Sequence, residues 1–141
     1  MTVNPSAGRL ISRLSNQIRR RLDAFSTRNS MSGTQGRILH FILAQPDEVF
    51  QRDIEEEFCL RPSSASGILK LMEQNGLIER VSTSYDARLK QILVTPKASL
   101  LKDQVIHDVN ELEAALTKGI SDADMEIFFR ILQQMYDNIS D

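Results

Sequence analysis

The 141-residue sequence predicts a mainly α-helical fold with a small β-hairpin, in the order α-α-α-α-β-β-α-α. Two observations carry that expectation. Apolar residues recur at spacings of three and four through six stretches, the period of a helix with one buried face. After Asn75-Gly76 the period changes, and two short runs of strand character, residues 77–81 and 89–95, flank a polar loop.

In residues 9–28 the stripe is Ile11, Leu14, Ile18, Leu22 and Phe25, and Arg13, Arg19, Arg20 and Arg21 fall mostly off it. That basic cluster is either a solvated face or a secondary phosphate contact. Ser32 is placed to cap the second helix, with Gln35 three residues on in the capping-box position. Ile38, Leu39, Ile42 and Leu43 face inward there, and the helix stops before Gln45-Pro46-Asp47. A short third helix is expected over about 51–58, with Ile54 and Phe58 as its core contacts. Its Glu55-Glu56-Glu57 run repels polyanions, so this helix is expected to support its neighbour rather than lie along a phosphate backbone.

Pro62 suits the first turn of the fourth helix, where Ala65, Ile68, Leu69 and Met72 form the inward face. Asn75-Gly76 is its left-handed stop. The hairpin tip, Ser82-Thr83-Ser84-Tyr85-Asp86-Ala87-Arg88, is too polar to enter a core. A helix from Pro96 to about Lys118-Gly119 uses Leu101, Val105, Val109, Leu112 and Leu116. Ser121-Asp122-Ala123-Asp124 caps the last one, which carries Met125, Phe128, Phe129, Leu132, Met135, Tyr136 and Ile139.

Composition fits one globular unit, with 41% hydrophobic and 26% charged residues and no apolar run of membrane-spanning length. The opening Met1-Thr2-Val3-Asn4-Pro5 lacks the features of a secretory signal, and the single Cys59 forms no internal disulfide, so the cytosol is the expected compartment. The net charge of −2 is uneven: residues 61–97 carry six basic against three acidic side chains, whereas residues 98–141 carry three against nine. A positive middle permits phosphate binding, because affinity follows local potential.

A helix pair joined by a short turn and followed by a hairpin is the winged form of the helix-turn-helix, expected here between residues 50 and 96. The second helix of such a pair enters the major groove with its N-terminal residues toward the bases. Its outward surface offers Ser63, Ser64, Ser66, Gly67 and Lys70, short hydroxyls and a glycine that admit DNA closely, with a cation beyond them. Solvated helix-start serines look the same, so periodicity alone leaves both readings open. The hairpin tip favours DNA: Arg88 and Lys90 project there, a minor groove attracts such cations, and Asp86 two residues before Arg88 can orient it. With Arg61 and Arg80 from the basic middle, the expected DNA-contacting set is Arg61, Ser63, Ser64, Ser66, Gly67, Lys70, Arg80, Asp86, Arg88 and Lys90. The terminal helices expose more apolar surface than one small winged domain covers, so a twofold partner is expected.

Residues 31–98 resemble the DNA-binding core of the MarR family of regulators. The resemblance is carried by Met31-Ser32-Gly33-Thr34-Gln35, by Met72-Glu73-Gln74-Asn75-Gly76-Leu77-Ile78-Glu79-Arg80, and by Asp86-Ala87-Arg88-Leu89-Lys90-Gln91-Ile92-Leu93-Val94-Thr95. It implies a homodimer with interlocked terminal helices, a pseudo-palindromic operator of double-stranded DNA, and ligand control through a crevice between the dimerisation helices and the DNA-binding lobe; separately, the aromatic residues make a small aromatic or phenolic molecule the candidate effector. On that basis residues 1–30 form an N-terminal dimerisation helix, 31–96 the winged helix-turn-helix and 97–141 the C-terminal dimerisation helices, in one intertwined domain. The sequence departs from the family pattern at Ala98, usually Gly, at Val94, usually Leu, and at Gly67, often Arg.

No cofactor, metal or membrane partner is expected. His40, His107 and Cys59 are too few and too scattered for a zinc site. Cys59, between Phe58 and Leu60, reads as a small core residue, with oxidant sensing as the alternative. An enzyme is disfavoured by the lack of a Gly-rich phosphate loop, a nucleophile elbow or a Ser/His/Asp set in the sequence. A winged helix used only for protein contact remains a rival, as does a cysteine-based redox regulator. Aromatics such as Phe25, Phe41, Phe128 and Tyr136 serve either an effector pocket or core packing.

Overall fold

Caps and glycine turns cut the chain into seven helices and three strands among the residues described by the computed structural model, 5–26 and 31–141, the side chains of Phe25 and Ser26 apart. In order they are α1 (Ala7–Ser26), α2 (Gly33–Ala44), β1 (Val49–Phe50), α3 (Gln51–Glu57), α4 (Pro62–Gln74), β2 (Ile78–Ser82), β3 (Lys90–Val94), α5 (Pro96–Leu100), α6 (Lys102–Thr117) and α7 (Asp122–Ile139). They fall in two compact units, Met1–Val109 and Asn110–Asp141.

In the first unit α1 packs on α2 through a close approach. The Asp23 carboxylate accepts the Gly33 N–H at 2.8 Å. A Cβ on Gly33 would stand 2.6 Å from Leu22 Cβ, so only glycine lets the two helices meet there. Ser32 caps α2 as expected, its Oγ accepting the Gln35 N–H at 3.2 Å. The reciprocal half of the capping box does not follow: the buried Gln35 amide oxygen accepts from Asn75 Nδ2 at 3.1 Å, which ties α2 to the end of α4. Of the expected α1 stripe Leu22 is buried, while Ile11 and Leu14 are exposed; the side chain of Phe25 lies outside the described residues.

Ile38, Leu39, Ile42, Ile54, Leu69, Met72, Leu77, Ile78 and Ile92 are buried in one cluster. Each such side chain contributes about 1.5–3 kcal/mol by leaving water, which is what holds the helix pair against the sheet. Phe58 packs against the cluster and meets Phe41 edge-on, ring centroids 5.8 Å apart. Ala98, the departure from the usual glycine, is fully buried.

The hairpin gains a strand that periodicity does not predict. β1 pairs antiparallel with β3 through Val49↔Ile92 and Phe50↔Gln91, giving a sheet in the order β1-β3-β2. Two residues are too few to show a period of two, and only the partner strand makes them one. The helix expected to run unbroken from Pro96 is divided into α5 and α6. At Leu101 the chain tightens: its N–H goes to the Ala98 carbonyl at 3.0 Å, three residues back instead of four.

In the second unit Ser121 caps α7, its Oγ accepting the Asp124 N–H at 3.1 Å, and Asp122 and Asp124 complement the positive end of the helix. No α7 residue is buried, and Phe128, Phe129, Leu132, Met135 and Tyr136 are exposed. Among the described residues no helix is long and apolar enough to cross a membrane.

Candidate nucleic-acid interface

The start of α4 is set by Arg61 in extended conformation and Pro62 in the first turn. Ala65, Leu69 and Met72 are buried, with Ile68 half-buried, so the opposite face is turned to solvent. Arg61, Ser63, Ser64, Gly67 and Lys70 lie on that exposed side. A Cβ on Gly67 would meet nothing within 4 Å, so the fold itself does not demand glycine there. Its lack of a side chain leaves the backbone open to a partner.

Ser66 and Arg80 are placed differently from the other expected contacts. Arg80 runs from β2 across the helix pair with its side chain only 17% exposed. Its Nε donates to Glu73 Oε1 at 2.8 Å, and Nη1 donates to Ser66 Oγ at 3.0 Å and to Gln51 Oε1 at 3.2 Å. Nη2 stands 2.8 Å from the same Glu73 oxygen. One guanidinium therefore holds α3, α4 and β2 together, and Ser66 turns inward to serve it. The sequence grouped both with the DNA-facing residues because spacing reports a face and not a partner.

The wing is built by register and by a knot at its tip. Ile78↔Val94 through Ser82↔Lys90 pair β2 with β3. Thr83 Oγ1 donates to the Asp86 carbonyl at 2.6 Å and accepts the Asp86 N–H at 3.0 Å. Asp86 Oδ1 then accepts the Arg88 N–H at 2.9 Å and stands 3.4 Å from Arg88 Nε. That ion pair is worth little in stability, since the Arg88 side chain is 94% exposed. It restricts the directions the guanidinium can take. Lys90 Nζ donates to Ser82 Oγ at 2.6 Å across the strands. At the base, Thr95 Oγ1 donates to the Gly76 carbonyl at 2.6 Å, and Lys97 Nζ donates to that of Asn75 at 2.8 Å. Gly76 needs no side chain for either bond, but its φ of +72° is the left-handed turn the sequence expects at the α4 stop.

Cys59 is exposed, not a core residue, and its φ of +51° makes it the non-glycine residue in the left-handed region among those described. The turn between α3 and α4 requires that conformation: the Leu60 N–H reaches the Glu55 carbonyl at 2.9 Å. Of the three scattered candidates, Cys59 and His40 join no cluster of metal-ligating side chains among the described residues, whereas His107 groups with Asp108 and Glu111, their ligand atoms within 4.8 Å of one another. The aromatics separate as well. Phe41 lines a groove of about 380 Å³ with Asp47, Glu48, Asp53, Glu56 and Glu57. Phe128 and Tyr136 are exposed on α7. Sequence reasoning missed the first turn of α3, where Arg52 Cζ lies over the Phe50 ring, 5.8 Å from its centroid. The signal in the sequence was an aromatic two residues before an arginine, masked by the glutamates that follow.

Residues 29–89 match the sequence model of the MarR family. The crystal structure of the transcription regulator MarR from Oenococcus oeni PSU-1 is 30% identical, over 94% of this chain and 99% of that one, with a TM-score of 0.83. The S. aureus MepR–DNA complex matches at 22% identity over 97% and 100% of the two chains, with a TM-score of 0.88. CouR from Rhodococcus jostii RHA1, bound to p-coumaroyl-CoA, matches at 21% identity over 96% and 94%, with a TM-score of 0.78.

Proposed function

The chain belongs to the MarR family of winged-helix, DNA-binding transcription regulators, and from that premise we propose that it acts as a homodimer that represses transcription from a pseudo-palindromic operator. The observation that carries the reading is Arg88, held almost fully exposed at the tip of a wing whose root Arg80 clamps to α4. A cation presented that way on a rigid arm suits a minor groove while the adjacent helix occupies the major groove. Ser63, Ser64 and Gly67 then approach base edges, Arg61 and Lys70 contact phosphate or guanine, Lys90 supports the wing contact, and Asp86 orients Arg88. Ser66 and Arg80 hold the geometry. S. aureus MepR, a protein of the same fold, is itself found in complex with DNA, which supports DNA as the partner.

The homodimer rests on two exposed apolar faces, each taken by itself: that of α7, and that of α1 with Leu10, Ile11 and Leu14, both of which a monomer in water would leave uncovered. A twofold pair places two recognition helices about 34–36 Å apart, one turn of DNA. Control by a small aromatic or phenolic ligand is supported by CouR, which is bound to p-coumaroyl-CoA. The groove beside Phe41 is a poor host for a phenolic acid, because its carboxylates repel an anion.

In vitro selection of bound duplexes tests the reading, with an inverted repeat of half-sites one turn apart as the expected product. Selected sequences without twofold symmetry, or a stable monomer by size-exclusion chromatography with light scattering, would overturn it. An absence of salt-sensitive DNA binding even at low ionic strength would favour a protein-only winged module. Release of the selected duplex on adding a phenolic acid or its coenzyme A thioester is the expected ligand response.

A further inference from the structure

We propose that the groove between the first turn of α3 and the wing seats a backbone phosphate of the bound DNA, with Arg52 as the cation that meets it. The inference rests on the DNA-binding reading and extends it to an element that the sequence assigned a supporting role only. The groove has a volume of about 390 Å³ and is lined by Gln51, Arg52 and Glu55 of α3 and by Asp86, Arg88 and Lys90 of the wing. It therefore brings three cations to one place, and Arg88 is the residue already expected to lead the wing into DNA.

Each charge in the groove has an identifiable state. Asp86 is engaged by Arg88, and Glu55 Oε2 accepts from Gln51 Nε2 at 3.3 Å. Lys90 Nζ is tied to Ser82. Arg52 makes no ion pair among the described residues; its exposed guanidinium lies over the Phe50 ring instead. A ring contact leaves the charge unneutralised, and a guanidinium in that state can take a phosphate in bidentate fashion. Phe50 is fixed in turn by its pairing with Gln91 on β3 and by its N–H, which the Asp53 carboxylate accepts at 2.8 Å. The arginine is thus carried by the same sheet as the wing.

The glutamate run does not contradict this placement. Glu56 and Glu57 line the other groove, with Asp47 and Asp53, and only Glu55 of the three faces the wing side. In a helix-turn-helix the first helix crosses the DNA backbone as the second enters the groove, which brings α3 to the phosphates on geometric grounds.

The test is fluorescence anisotropy with a labelled random-sequence duplex across a salt series, comparing wild type with Arg52→Ala, Arg52→Lys, Glu55→Gln and Lys70→Ala, and with melting curves on each. Arg52→Ala is expected to reduce the slope of log K against log salt by about one unit for each protomer bound. Arg52→Lys should restore most of the slope, and Glu55→Gln should tighten binding at low salt. A structural role for Arg52 would shift the melting curve and leave the slope unchanged. Arg52→Ala with a wild-type slope, while Lys70→Ala lowers it, would overturn the phosphate seat and leave the DNA-binding reading standing. Failure of the wild type to bind in a salt-sensitive way would overturn both.

Discussion

Replacing Arg80 by methionine separates the two roles the residue has been given. The substitution keeps the apolar stem and removes the guanidinium. Lost with it are a charge-assisted contact to Glu73, at 2.8 Å from both Nε and Nη2, and bonds to Ser66 at 3.0 Å and Gln51 at 3.2 Å. A hydrogen bond to a charged group contributes about 1.5–3 kcal/mol, but the Glu73 side chain is 33% exposed and water can take over its solvation, so the low end applies. The two neutral acceptors add about 0.5 kcal/mol each. The expected loss is about 2–3 kcal/mol, or roughly 6–12 °C in Tm at fixed protein concentration for a chain of this size. A double-mutant cycle with Glu73→Gln should return a coupling of about 1–1.5 kcal/mol. Weaker DNA binding should accompany the change with an unaltered salt slope, because a clamp releases no counterions. An unchanged melting curve together with a slope lower by about one unit per protomer would refute the clamp and return Arg80 to the DNA surface.

Arg88→Ala should cost about 1–3 kcal/mol of affinity for the selected operator and leave the melting curve unmoved, since the side chain is almost fully exposed; full affinity in the folded variant would remove Arg88 from the interface. Gly33→Ala should destabilise by about 1–3 kcal/mol, because its Cβ would stand 2.6 Å from Leu22 Cβ and 2.8 Å from the Asp23 carboxylate. Chemical denaturation checks this, and a neutral result would mean α1 and α2 separate easily. Cys59→Gly should stabilise by about 0.5–1 kcal/mol by relieving a left-handed non-glycine residue, and a lower Tm would show that the cysteine side chain holds the turn.

Helix existence, the α4 inward face, the Ser32 and Ser121 caps and the Asn75-Gly76 stop were all determined by the sequence itself. These depend on interactions among residues a few positions apart, and spacing records them directly. The wing motif from Asp86 to Arg88 belongs with them, since its hydrogen bonds span only two or three residues. Tertiary structure decided the rest. Val49 and Phe50 are a strand because β3 lies beside them. Gln35 leaves its local cap for Asn75, forty residues away. Arg80 turns in toward Glu73, Ser66 and Gln51, across separations of seven, fourteen and twenty-nine residues. A polar side chain at an outward-looking position in a pattern has several partners within reach, and only the folded packing selects one. The same packing gave α3 its two grooves, so that Glu56 and Glu57 line one while Arg52 and Glu55, from the same short helix, line the other.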